Sequence, residues 1–112
     1  RGLTLAAGAS YRFEVARGYP PLINDAAMAG VVRRAAEKIF GTEKTGEAGI
    51  SMVGEDFAYL AQKTPAAFFL VGIASPGKQV SLHSPYFQWD DKVLKVSAAC
   101  LCQTAVDFLL DS

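Results

Sequence analysis

The one histidine of this chain, His83, stands in Leu82-His83-Ser84-Pro85-Tyr86-Phe87. Imidazole is the commonest metal ligand and the side chain that most readily moves protons near neutrality. Pro85 fixes its own φ and biases Ser84 toward extended backbone, so the histidine sits in a stiff turn and can be aimed. A second place for chemistry is Gly54-Glu55-Asp56-Phe57, where two carboxylates adjoin. Those acids also suit a helix start, where the dipole favours negative charge, and Asn24 reads as the N-cap of the next helix with Asp25 at its positive end. A hydrolytic metal site needs several nitrogen, oxygen or sulfur ligands, an open position for water and a base to take its proton. One histidine and one carboxylate pair do not complete that set. Serine chemistry has no footing either: there is no G-x-S-x-G elbow, and nothing around Ser51 or Ser81 pairs them with His83. Phosphate-binding and dinucleotide glycine motifs are also missing, so no catalytic residue is assigned within the segment.

The elements that must position these groups follow from composition and periodicity. With 112 residues and 51% apolar content the chain fits one domain by length and is not disordered. Eleven basic residues balance eleven acidic ones, so no net field recruits nucleic acid or an anionic membrane. No apolar run approaches the roughly 20 residues that cross a bilayer, and the start lacks a signal-peptide pattern. Cys100 and Cys102 lie two apart in a helical stretch, which points them in widely separated directions, and they read as buried reduced thiols. The expectation is a cytoplasmic protein without nucleic-acid or membrane partners.

Residues 3–7 look like the end of a helix, with Gly8 as its left-handed cap. Ser10 to Val15 alternates polar and apolar residues as a half-buried strand does, and Gly18-Tyr19-Pro20-Pro21 stops it. An amphipathic helix is predicted over 25–40, with Met28, Val32, Ala35 and Ile39 on one face, closed by Gly41. Residues 42–49 read as an exposed loop, and 55–61 as a short helix opened by Gly54. Ala67 to Gly72 is an unbroken apolar run, the pattern of a strand buried on both faces. Ser75-Pro76-Gly77 starts a loop that leads to His83. Asp90 or Asp91 then caps a helix reaching nearly to Leu110, with Leu94, Ala98, Leu101, Ala105 and Phe108 as its buried stripe. Two strands cannot flank Phe68–Val71 on both edges, so its pairing partners lie elsewhere. The chain opens on Arg1-Gly2-Leu3 without methionine, and the expectation is an incomplete fold.

Four blocks taken in order, Tyr19-Pro20-Pro21-Leu22-Ile23-Asn24-Asp25, Met52-Val53-Gly54-Glu55-Asp56-Phe57-Ala58-Tyr59, Leu70-Val71-Gly72 and Leu82-His83-Ser84-Pro85-Tyr86-Phe87, resemble the C-terminal portion of a family of metal-dependent amidohydrolases. It includes hippurate hydrolase and the indole-acetyl-amino-acid hydrolases and, more distantly, aminoacylase and carboxypeptidase G. The resemblance covers nearly the whole chain and implies an α/β fold, the C-terminal part of a two-metal catalytic domain. Residues 1–18 would be the last helix and strand of an inserted α+β lid or dimerisation domain, and 19–112 would belong to the catalytic domain. The resemblance also implies that His83 is the last metal ligand and that Glu55 and Asp56 order the active-site loop without touching the metal. The metals would be two divalent ions, zinc or manganese, and the substrate a small N-acyl amino acid or peptide. The remaining ligands and the general-base glutamate of that family precede this segment. The parent enzyme would be a homo-oligomer, and the segment alone would self-associate and be inactive. The alternative is a noncatalytic α/β binding or assembly module that pairs through exposed strand edges.

Overall fold

Asp25 starts the longest uninterrupted stretch of good helix formers in the first half of the chain. Its side chain accepts a hydrogen bond from the Met28 N–H at 2.9 Å, satisfying one of the donors that a helix N-terminus leaves open. Helix α2 (Ala26–Phe40) follows, and it ends where Gly41 turns to φ 89°, a conformation that L residues avoid. The computed structural model describes residues 2–74, 77 and 80–111. Among them are also α1 (Gly2–Ala6), α3 (Phe57–Ala61), α4 (Lys92–Leu110) and a 3₁₀ turn at Thr42–Lys44. Arg1, Ser75 and Pro76, which entered the sequence reading, lie outside the described residues.

Several local expectations hold. Gly8 caps α1 at φ 63°, with its N–H on the Leu5 carbonyl and the Ala9 N–H on that of Thr4, the paired bonds of a Schellman motif. Asp90 caps α4 by accepting from the Lys92 N–H at 3.0 Å. The α3 helix begins two residues later than predicted, with Asp56 at the N-cap position and the Glu55 side chain accepting from the Phe57 N–H.

Helices α2 and α4 pack together, and their ion pairs set the direction. Arg34 pairs with Asp111 at 2.9 Å and Lys38 with Asp107 at 2.7 Å. The lower number on one helix meets the higher on the other, so the helices run antiparallel. Asp107 is 6% exposed and also accepts from Gln103 at 2.8 Å, whereas its Oδ2 is buried without a partner. Cys100, Ala35 and Val31 are buried as well. Thr104 donates to the Cys100 carbonyl, and burial pushes the Cys100 thiol up against the opposing effect of Thr104.

This packing corrects the predicted stripe of α4. Leu94, Leu101 and Phe108 are exposed, Leu101 by 57%, and the face toward α2 carries Cys100, Gln103, Thr104 and Asp107. Cationic side chains one turn apart on α2 select the acidic stripe, and the apolar stripe about 100° away is left outside. Cys102 is exposed, so only one of the two thiols is buried. A further correction concerns bilayers: α4 is long and apolar enough to cross one, by length and composition only. Asp107 and Asp111 are nevertheless committed to cations of α2.

No strand forms among the described residues, so the α/β expectation is not realised within this segment. Phe13 in the first predicted strand is 78% exposed. Ala67–Gly72 lies along a cleft with α2 and the 44–48 loop. Strands exist by pairing, and among the described residues no strand forms beside either segment; Ala66 and Phe68 are bonded only by Asp25 and the side chain of Asn24. The consequence is measurable in the surface: 9545 Å² is accessible, against about 5,900 Å² for a folded monomer of this mass. The radius of gyration is 20.6 Å, where about 13 Å is usual for this length. The excess surface, about 3,600 Å², lies in the range of obligate interfaces.

The 112-residue chain is therefore expected to sediment as a dimer or larger species, and a monomer with sharp, dispersed amide resonances contradicts this. Acid should also loosen α4 from α2. The Lys38 hydrogen bond, then that from Gln103, hold the Asp107 carboxyl below its usual range against the opposing pull of burial. Its contribution is thus present above about pH 3.9 and is lost as pH falls through the lowered folded value. In an acid titration of helicity, Asp107→Asn should flatten the transition, and an unchanged curve assigns the acid response to other groups.

Candidate functional site around the His83 turn

Two consecutive turns carry the histidine. The Ser84 N–H donates to the Ser81 carbonyl at 3.1 Å, and the Phe87 N–H donates to the Ser84 carbonyl at 3.0 Å. Ser84 Oγ also accepts from the Tyr86 N–H at 3.2 Å, so this serine joins the turns by backbone and side chain. Pro85 takes the second position of the second turn, where its fixed φ fits. His83 takes the third position of the first turn at φ 70° and is the one non-glycine residue with positive φ among those described. That conformation costs a side-chain-bearing residue about 1 kcal/mol or more, and it persists where the surrounding bonds over-determine it. The His83 ring is presented to solvent.

Glu55 and Asp56 divide their roles. Glu55 is half-buried, and its Oε1 accepts from the Phe57 N–H at 3.0 Å while its carbonyl accepts from the Ala58 N–H at 3.2 Å. Asp56 is exposed and makes no capping hydrogen bond. Gly54 lies under the ring of Tyr19, which meets Tyr59 edge-on at 5.9 Å. A Cβ on Gly54 would stand 2.6 Å from Tyr19 Cδ2, so close approach rather than backbone angle calls for glycine here. Phe57 leans on Phe68 with ring centroids 5.5 Å apart.

The fold does not gather these groups into a metal centre. Among the described residues no three His, Cys, Asp or Glu side chains stand close enough to hold an ion, so His83, Glu55 and Asp56 do not meet as a ligand set. A catalytic zinc usually takes three protein ligands, and the chain offers one exposed imidazole, so its residues do not hold a metal by themselves. The residue that sequence reasoning misassigned is Asn24. Asp25 does the capping, while Asn24 Nδ2 donates to the Phe68 carbonyl and Asn24 Oδ1 accepts from the Phe68 N–H, both at 2.8 Å. The signal was a surplus: two capping residues stand side by side where a helix uses one.

Comparison with known proteins supplies the setting that this geometry lacks. The profile of peptidase family M20/M25/M40 matches residues 3–107. The chain belongs to that family. It is 30% identical over 110 residues to a Bacillus subtilis (strain 168) protein named "Putative amidohydrolase YhaA", covering 96% of this chain and 28% of that protein. To the Arabidopsis thaliana "IAA-amino acid hydrolase ILR1-like 5" it is 31% identical over 96 residues, 84% of this chain and 22% of the relative. A Rhodococcus jostii (strain RHA1) protein named "Putative glutamate--cysteine ligase 2-3" is 34% identical over 85 residues, 75% of this chain. That match covers 11% of the relative, so most of the protein bearing the ligase name lies outside it. The chain thus spans less than a third of the relatives it matches. No solved structure matches it.

As an M20-family segment, the chain has a testable contact at Gly54. Gly54→Ala should push the Tyr19 ring off Tyr59, forfeiting about 0.5–1.5 kcal/mol of aromatic contact. On a Tyr19→Ala background the same substitution should cost little. Equal destabilisation on both backgrounds, measured by denaturant unfolding, removes the Tyr19 contact as the reason for glycine.

Proposed function

We propose that this chain is the C-terminal part of a metal-dependent amidohydrolase that cleaves the amide bond of N-acyl amino acids. Residues 1–18 close a lid or dimerisation domain in this reading, and residues 19–112 complete a catalytic domain. The observation that carries it is the His83 turn: a side chain held at positive φ by two linked turns, within a family of hydrolases. The printed name of the Arabidopsis relative, an amino acid hydrolase, supports the substrate class.

In that enzyme His83 contributes one metal ligand and the others come from outside this segment, since no three His, Cys, Asp or Glu side chains gather among the described residues. A divalent ion, zinc or manganese and two per site, supplies Lewis acidity toward the amide carbonyl when bound. The chain's own part is to present the imidazole from a backbone fixed by the Ser81–Ser84 and Ser84–Phe87 bonds. Asp56 leaves its carboxylate uncommitted to capping, and Glu55 orders the first turn of α3. The missing sheet accounts for the surface left open: a neighbouring strand from the rest of the enzyme would satisfy the backbone of Ala67–Gly72. The enzyme would work in the cytoplasm as a homo-oligomer, and the segment alone would not turn over.

The test is His83→Ala in the full-length enzyme, with metal per subunit measured after dialysis beside the hydrolysis rate. Metal affinity and turnover should each fall at least about tenfold with the fold intact, because losing a direct ligand costs no less than losing its supporting partner. Asp56→Asn should change metal content far less. Full metal occupancy and near-normal turnover in His83→Ala would make the histidine a turn residue only.

A further inference from the structure

We propose that Asn24 is a positioning residue that sets the Glu55 carboxylate through the backbone of Phe68 and the contact between the Phe68 and Phe57 rings. The proposal's consequence for catalysis rests on the hydrolase reading, whereas the coupling itself is a property of this segment.

The argument starts from what an amide side chain can do. Asparagine carries a donor and an acceptor in the geometry of a peptide group, so it can replace one residue of a neighbouring strand. Asn24 does so at Phe68, donating to its carbonyl and accepting from its N–H, both at 2.8 Å. The next residue adds a backbone bond, from the Asp25 N–H to the Ala66 carbonyl at 2.9 Å. Together these three bonds form a short ladder between the start of α2 and a segment more than forty residues away. Asn24 has no local duty to explain this, because Asp25 already caps the helix.

From Phe68 the contact continues without a gap. Its ring meets that of Phe57 at 5.5 Å, and the Phe57 N–H donates to Glu55 Oε1 at 3.0 Å. A shift of the Phe68 backbone therefore moves the ring against which the first residue of α3 rests, and the Glu55 carboxylate moves with it. Aspartate at position 24 would keep the acceptor for the Phe68 N–H but set an oxygen against the Phe68 carbonyl. Alanine would remove both bonds.

The test uses the full-length polypeptide that carries this segment, as Asn24→Ala, Asn24→Asp and Phe68→Leu. Backbone hydrogen exchange is followed by mass spectrometry in peptides spanning 55–59 and 66–68, with 95–110 as the control for folding. Asn24→Ala should raise exchange in both test peptides by about tenfold and leave the control unchanged, with Asn24→Asp intermediate. Phe68→Leu should raise exchange in 55–59 alone, since the clamp is made to backbone. Toward an N-acyl amino acid, Asn24→Ala should lower kcat by about tenfold with KM within about twofold, the pattern of misplaced groups rather than lost binding. If Asn24→Ala does not fold, Asn24→Asp carries the same comparisons. Faster exchange confined to 66–68, or unchanged kcat with both peptides loosened, overturns the positioning role. Absence of hydrolysis by the unaltered polypeptide overturns the functional reading instead, and the exchange data still decide the coupling.

Discussion

The pairing of α2 with α4 depends on a carboxylate that has been taken out of water. Asp107 is buried between the helices, with Lys38 and Gln103 on one oxygen and nothing on the other. A charge so placed tolerates few arrangements, because removing its cation leaves it uncompensated. Arg34 and Asp111 add a second rung one turn away, at the exposed end, where an ion pair contributes less. Direction and rotation of α4 both follow. With the acidic stripe turned inward, Leu94, Leu101 and Phe108 face outward, and α4 offers an apolar surface on the side away from α2.

That surface and the extended Ala67–Gly72 segment belong together physically. Each leaves apolar surface open: a helix whose apolar face has no partner, and an apolar run bonded only at its start, where Asn24 and Asp25 reach Phe68 and Ala66. The M20-family match over 3–107, on relatives three to nine times as long as the matched stretch, fits this picture. A family assignment can thus be firm where the local architecture is incomplete, because the profile reads residue types and pairing requires partners.

Around the candidate site the segment is better determined than its open surface suggests. Ser84 ties two turns together beneath His83, and Tyr19, Gly54, Phe57, Phe68 and Asn24 join three stretches of chain by ring contacts and hydrogen bonds. These are short-range devices that act within the segment. What the segment cannot do is gather a ligand set around an imidazole, which takes several side chains from different parts of a chain.

Residue order alone was enough for features whose physics is local. Gly8 and Gly41 end helices because they reach positive φ, Asp90 or its neighbour begins α4 because a short carboxylate meets open N–H groups, and Pro85 stiffens the His83 turn. The family was also legible, since its blocks survive as residue types in order. Tertiary structure decided the rest. Whether α4 turned its leucines or Asp107 toward α2 depended on a cation of α2 reached only by packing. Whether Asn24 capped a helix or clamped Phe68 depended on a segment 44 residues away. The predicted strands failed for the same reason: hydropathy alternation states which face a strand would bury, but a hydrogen-bonded strand alongside makes it a strand, and the described residues contain no strand.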